Sequence, residues 1–206
     1  MTITAVIAVK GRTPLLKQTI RRLFGRNMVQ NVVCVGDKGL DQAVCESLGC
    51  QYVVHPNFPL GLKWNAGFAF AGREIDPDAF LFVGSSDWIS DNWTRTAGGY
   101  LQHADMAGKT DMHLVDVGKP LEYGQANDIR ACYWPGYTDN ERKGETIGLG
   151  RMIGRDMMRK MKYKPFNEHQ NASLDYAMYN HILSHSGKIV SITDDSMRSV
   201  SPDRSK

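Results

Sequence analysis

What this chain lacks narrows it first. No apolar run approaches the roughly 20 residues that a membrane-spanning helix needs, so no membrane association is expected. The opening Met1-Thr2-Ile3-Thr4 lacks the basic-then-apolar form of a secretory signal. The four cysteines, Cys34, Cys45, Cys50 and Cys132, include no CxxC pair. That excludes the usual zinc spacings and, with Cys34 inside an apolar strand-like run, points to reduced thiols and a cytoplasmic protein. No repeat and no low-complexity stretch is present, which excludes arrays of small units. Residues 1–36 contain no acid, only Lys10, Arg12, Lys17, Arg21, Arg22 and Arg26. A second basic run, Arg151, Arg155, Arg159, Lys160, Lys162 and Lys164, is broken only by Asp156. Such runs are either solvated helix faces or a means of attracting an anionic substrate. The net charge, +3, is slight for a nucleic-acid binder.

What is there is ordinary for a globular protein: 206 residues, 42% hydrophobic and 23% charged, enough for one domain with a real core. The chain is organised around Phe80-Leu81-Phe82-Val83-Gly84-Ser85-Ser86-Asp87-Trp88. Its unbroken apolar run suits a central strand buried on both faces. It ends in small residues and one carboxylate, at the kind of strand end where open α/β sheets bind ligands. Asp87 there either holds a divalent cation on a diphosphate or merely closes a turn.

Upstream, Ile3 to Val9 reads as a strand, and Thr13-Pro14 as the cap and first residue of a helix ending near Gly25. Asn31 to Val35 is a second strand, Leu40 to Leu48 a helix, and Tyr52 to Val54 a third strand. Alternating strands and helices predict a parallel sheet with right-handed crossovers. Lys10 and Arg12 follow the first strand, where they meet phosphate or solvent. Asp37 follows the second, where it accepts from a base or ribose or serves a turn. Pro59 and Gly61 mark a structured loop, and Leu62 to Ala71 a helix in which Asn65 and Gly67 signal a close approach of backbone or ligand.

In this order, strand-plus-Lys10, Gly36-Asp37, Asn57-x3-Gly61-x3-Asn65-x-Gly67 and the apolar strand with its acidic loop resemble the nucleotide-sugar-binding half of family 2 glycosyltransferases, which have the GT-A fold. The resemblance implies a GT-A-like, Rossmann-like single α/β domain with a mostly parallel central sheet flanked by helices. It places Ala8, Lys10, Arg12, Asp37, Lys63, Asn65 and Ser86 around a nucleoside-diphosphate sugar, and a divalent cation, manganese or magnesium, on Asp87. The sequence departs from the family where the leading aspartate of Asp-x-Asp becomes Gly84 or Ser85, and where Pro-x-Tyr-Asn becomes Val9-Lys10-Gly11-Arg12.

Further on, Ser90 or Asp91 caps a helix bearing Trp93, Ala97, Tyr100 and Leu101, and Met112 to Val117 reads as a strand. Residues 118–146 read as aromatic-rich loops around a short strand from Arg130 to Trp134, with Trp134 and Tyr137 in a candidate acceptor-binding loop. Ile147 to Ile153 reads as a strand before a helix from Arg155 to Met161. Ser173-Leu174-Asp175 opens another helix, and Lys188 to Ile192 is a last strand. Asp175 matches the first aspartate of the family's Glu-Asp-x-Asp-Leu, and the resemblance implies a catalytic base. Read alone, it is a first-turn acid favoured by the helix dipole; Glu168 is the alternative base. The expected units are residues 1–103 for the donor, 104–193 for acceptor and catalysis, and a polar tail at 194–206. The expected function is transfer of a sugar to an acceptor hydroxyl with inversion, the acceptor a soluble molecule such as hydroxymethylated DNA. A nucleotide-binding protein without catalysis and a nucleotidyltransferase are the other readings.

Overall fold

The apolar stretches pair into one sheet buried on both sides. The computed structural model describes residues 1–116, 130–138, 141–193 and 200–202. Strand β1 (Ile3–Ala8) lies between β2 (Asn31–Gly36) and β4 (Ala79–Gly84), parallel to both, with Ala8 level with Val35 and Gly84. Strand β3 (Gln51–Val54) flanks β2. Beyond β4 come the antiparallel β8 (Met152–Gly154), then β5 (Met106–Lys109) and β9 (Ile189–Ile192), giving the order β3-β2-β1-β4-β8-β5-β9. A smaller sheet sets β6 (Met112–Asp116) between β7 (Arg130–Trp134) and β10 (Val200–Pro202).

Each central strand is apolar on both faces because each face has a helix layer. Ile3, Ala5 and Ile7 of β1, with Ala79, Leu81 and Val83 of β4, pack toward α1 (Thr13–Arg26) and α4 (Trp93–Tyr100). Leu16, Ile20 and Leu23 meet them from α1 at helical spacing. On the other face Val6 and Phe80 join Trp64 and Phe68 of α3 (Leu60–Phe70), Met157 and Met158 of α5 (Arg155–Lys160), and Met178 and Ile182 of α6 (Leu174–Ser184). Helix α2 (Leu40–Ser47) covers the β2–β3 edge. Each fully buried large side chain contributes about 1.5–3 kcal/mol. The result is a GT-A-like fold with a mostly parallel seven-stranded sheet.

Several boundaries differ from expectation. Thr13 is the first helical residue rather than the cap; Arg12 takes the cap position with φ 59°, and Thr13 Oγ1 donates to Asp41 (3.2 Å) instead. Asn92, not Ser90 or Asp91, precedes α4. Helix α3 begins two residues early and continues as a π-helical turn, Ala71–Ile75, against which the Tyr163 ring lies. The strand expected over 147–153 shrinks to β8, and β5 was not anticipated. In the expected polar tail, Val200–Pro202 pairs with β6; 194–199 and 203–206 lie outside the described residues. So does the whole of 117–129, Val117 and Tyr123 included.

Candidate active site

The strand order reverses between β1 and β4: β2 and β3 lie to one side of β1, and β4 lies to the other. A crevice opens at such a switch point, beyond the carboxyl ends of the strands. Here it is a cleft of about 270 Å³ lined by Ala8, Lys10 and Arg12 after β1, Gly84 and Ser85 after β4, and Asn57, Phe58, Leu60, Lys63 and Trp64 around the start of α3. A larger cavity, about 760 Å³, lies at the opposite ends of the strands around Met1, Ile3 and Asp78. At that end Arg155 pairs within the chain with Asp78 (2.6 Å), which also accepts from Thr2 N (2.6 Å).

Three cations stand at the cleft, and each is held differently. Lys10 Nζ sits 4.8 Å from the centre of the exposed Phe58 ring. Arg12 has a left-handed backbone, a conformation that costs an ordinary residue roughly 1–2 kcal/mol, and its Nη1 donates to Ser86 Oγ (3.1 Å). Asp41 of α2 accepts from Gly11 N (2.7 Å) and so holds the loop that presents Arg12. Lys63 is 1% exposed and its Nζ donates to Val9 O (2.5 Å) and Asn57 Oδ1 (2.7 Å). Burial lowers the pKa of Lys63 to about 8, partly offset by Asp37 and Asp41. The Asn57 amide in turn donates to Asp37. Asp37 and Lys63 thus belong to one network that fixes the cleft wall, with Asn57, the first residue of the asparagine-glycine motif, as the link.

Asn65 is 2% exposed, and both ends of its amide bind the backbone of Phe166: Nδ2 donates to the carbonyl (2.8 Å) and Oδ1 accepts from the amide (3.1 Å). It clips the 163–168 loop to α3. Gly67 packs on Val6 and Val35, and a side chain at Gly61 would collide with Asn167 O. Each of these close approaches is to another part of the chain.

Asp87 is buried and closes the turn after β4: its Oδ2 accepts from Gly84 N (2.6 Å). It lines a groove on the α1 side rather than the cleft. Among the described residues no three His, Cys, Asp or Glu side chains gather around one point. Asp87 is thus the single carboxylate left for the expected cation, and it is engaged by the turn on the groove side rather than presented to the cleft.

The second cluster surrounds Asp175. Helix α6 starts from Ser173, also left-handed (φ 54°), whose side chain makes no cap; Ala177 N donates to its carbonyl (3.1 Å). The Tyr137 hydroxyl donates to Asp175 Oδ2, and Arg142 Nη2 stands 3.7 Å from the same oxygen. Arg142 is clamped by Glu145 (2.6 and 3.0 Å) and lies 3.5 Å from the Tyr137 ring centre. Burial, then the Asp175 carboxylate, pushes the Tyr137 pKa up to about 12. Beneath them the fully buried Arg151 donates to Ile147 O (2.9 Å), to Thr146 O and to Asp175 O (2.5 Å). Burial lowers its pKa to about 10, so it stays charged at neutral pH. Trp134 meets Tyr137 edge to face, 5.0 Å between centres. Glu168 is half-buried and pairs with Lys164 (2.8 Å).

The two clusters are neighbours through two rings. A side chain at Gly148 would meet both Phe82 and Asp175, Phe82 stacks on Trp64 at 4.1 Å, and Trp64 lines the cleft. Sequence reading missed Arg142 and Glu145 and placed Arg151 only in a basic run, whereas it is fully buried, because nothing local marks an arginine whose partners come from distant loops.

The fold defines the class: a GT-A-like α/β sheet with a cleft at its switch point. No protein-family model and no curated protein matches the sequence. Among solved structures, S. aureus TarS 1–349 is similar over 98% of this chain and 60% of its own, at 14% identity and a TM-score of 0.62. This chain therefore spans about 60% of that fragment's length. The same fragment has been solved with UDP and with UDP-GlcNAc. The 4-diphosphocytidyl-2C-methyl-D-erythritol synthase of Anaerococcus prevotii matches over 93% of this chain and 88% of its own, at 11% identity and a TM-score of 0.60. A CMP:2-keto-3-deoxy-manno-octonic acid synthetase, solved with CTP, matches over 98% and 91%, at 11% and 0.57. At these identities the likeness is one of fold.

Proposed function

We propose that the chain is a glycosyltransferase that moves a sugar from a nucleoside-diphosphate donor to an acceptor hydroxyl. The observation that carries this is the pairing of a cation-lined cleft at the switch point with a carboxylate, Asp175, already holding a hydroxyl. The UDP-GlcNAc complex of TarS, a neighbour in fold, supports the donor class. The acceptor oxygen attacks the anomeric carbon while the bond from that carbon to the diphosphate oxygen breaks. The electron pair leaves with the diphosphate, whose charge Lys10 and Arg12 offset. Asp175 takes the acceptor's proton. To reach Asp175 Oδ2 the acceptor hydroxyl displaces that of Tyr137, so the resting contact is a template for the reacting one. A single displacement of this kind inverts the anomeric carbon. The acceptor set includes hydroxymethylated DNA, beside glycans and small alcohols.

A second reading is nucleotidyl transfer, favoured by the two synthases, whose whole chains this one nearly covers (88% and 91%). One experiment separates the readings. The protein is incubated with nucleoside-diphosphate sugars, and separately with nucleoside triphosphates plus sugar phosphates, and the products are resolved by chromatography. Release of nucleoside diphosphate supports glycosyl transfer, and release of pyrophosphate supports the second reading. Thermal stabilisation by donor with neither product marks a binding protein without catalysis.

A further inference from the structure

On the far side of the Arg12–Ser86 bridge lies a groove that the transfer chemistry does not use. It has a volume of about 360 Å³, within the range of small-molecule sites, and is lined by Gln18, Arg21, Arg22, Gly25 and Arg26 of α1 and by Ser86, Asp87 and Trp88 after β4. Trp88 is 48% exposed, an uncommon position for so large an apolar ring. Arg22 fixes it from one side: the guanidinium lies 4.9 Å from the ring centre and is itself held by Asp91 and by Ile89 O (2.9 Å). A ring clamped on one face and open to solvent elsewhere is a stacking platform. Arg21 and Arg26 are exposed on the adjoining turns of α1, and among the described residues neither forms an ion pair. The acids nearby are Asp87, bound to Gly84 N, and Asp91, bound to Arg22.

Gly25 adds an independent sign. It is the last residue but one of α1, and a side chain there would touch nothing. Packing does not require the glycine, and its effect is to keep the groove floor open. A fixed indole, two arginines without ion pairs and an open floor match a planar ring carrying phosphate. We propose that this groove is a second site, distinct from the donor cleft, that binds one phosphorylated nucleoside unit, free or as part of a single nucleic-acid strand. Aromatic stacking with a basic track is how single strands are held without sequence preference.

The test uses the full chain and a fluorescently labelled octathymidylate followed by anisotropy, with thymidine 5′-monophosphate as competitor. The variants are Trp88→Ala, the double Arg21→Glu/Arg26→Glu, and Lys10→Glu in the donor cleft. Binding should weaken at least tenfold in each groove variant and by less than threefold in Lys10→Glu. Because the changed groups are exposed, melting temperatures should stay near wild type, and stabilisation by nucleoside diphosphate should persist in the groove variants. The salt slope should fall by about one to two in the double variant, at roughly 0.7 per phosphate contact. A monophosphate that competes as tightly as the octamer assigns a free nucleotide, and an octamer at least tenfold tighter assigns a strand. Failure of the wild type to bind either probe, or loss confined to Lys10→Glu, overturns the proposal.

Discussion

At the residue scale the densest set of contacts converges on Asp175, the base of the proposed transfer. Tyr137 donates to it and Arg142 approaches it, while Arg151 holds the backbone of the same residue. Asp175→Asn keeps the shape and loses the proton acceptor. Transfer should fall about a hundred- to ten-thousand-fold with donor binding unchanged, read by turnover beside calorimetric titration; near wild-type turnover would remove Asp175 as the base. A second residue-scale expectation concerns the buried pair Lys109–Asp111 (3.6 Å, both nearly inaccessible). Asp111→Ala removes both the carboxylate facing the buried ammonium and the acceptor of the Tyr133 hydroxyl (3.2 Å), and urea unfolding should show a loss of about 3–5 kcal/mol. Lys63 gives a pH signature. Its folded pKa, about 8, lies below the ordinary 10.5, so between these values the unfolded chain binds more protons and stability rises with pH. The burial cost is fully present below pH 8. Urea unfolding at pH 7.5 and 9.5 should show wild type gaining relative to Lys63→Gln; a constant difference between the two proteins rejects this. In the sequence, the positions of Lys10, Arg12, Lys63 and Asp175 at strand or helix ends were legible, because turn and cap residues mark those ends. The engagement of Asn65 with Phe166, 101 residues away, was not, because nothing local encodes it.

Elements were legible where one physical signal dominated. Strands β1, β2 and β4 are unbroken apolar runs, and α1 shows its buried stripe plainly. Strand β5 escaped because Met-Ala-Gly-Lys has neither β-branched residues nor alternation. Tertiary packing alone places it, with Gly108 pressed against Thr146. Strand β8 is three residues long and follows a glycine-bracketed stretch that looked like strand throughout. At this scale the prediction is Gly25→Ala. The new methyl meets no atom, so α1 should gain about 0.5–1 kcal/mol from helix propensity. Calorimetry should show a rise of a few degrees in melting temperature at most, whereas a fall would mean that the groove floor is packed after all.

For the whole molecule, the parallel sheet followed from the alternation of strands and helices. The reversal at β1 and the antiparallel β8 did not, since local pattern carries no register between distant strands. The reversal sets the electrostatics, because it gathers Lys10, Arg12 and Lys63 at one rim. With charge already neutralised there, thermal stabilisation by a nucleoside diphosphate should survive chelation by EDTA within about a degree. Complete loss on chelation, restored by manganese, would assign a metal to the cleft. The placement of β8 also sets a timetable for synthesis. Strand β4 ends at Gly84, and its outer neighbour begins only at Met152. The gap is 152 − 84 = 68 residues, which a ribosome takes roughly 3–14 s to traverse. Throughout that interval the nascent chain carries an open parallel edge. Phe80 meanwhile lacks Tyr163, and Phe82 lacks Phe166. A ribosome paused between those points holds a half-sheet whose free edge can pair with the same edge of a neighbouring chain on the polysome.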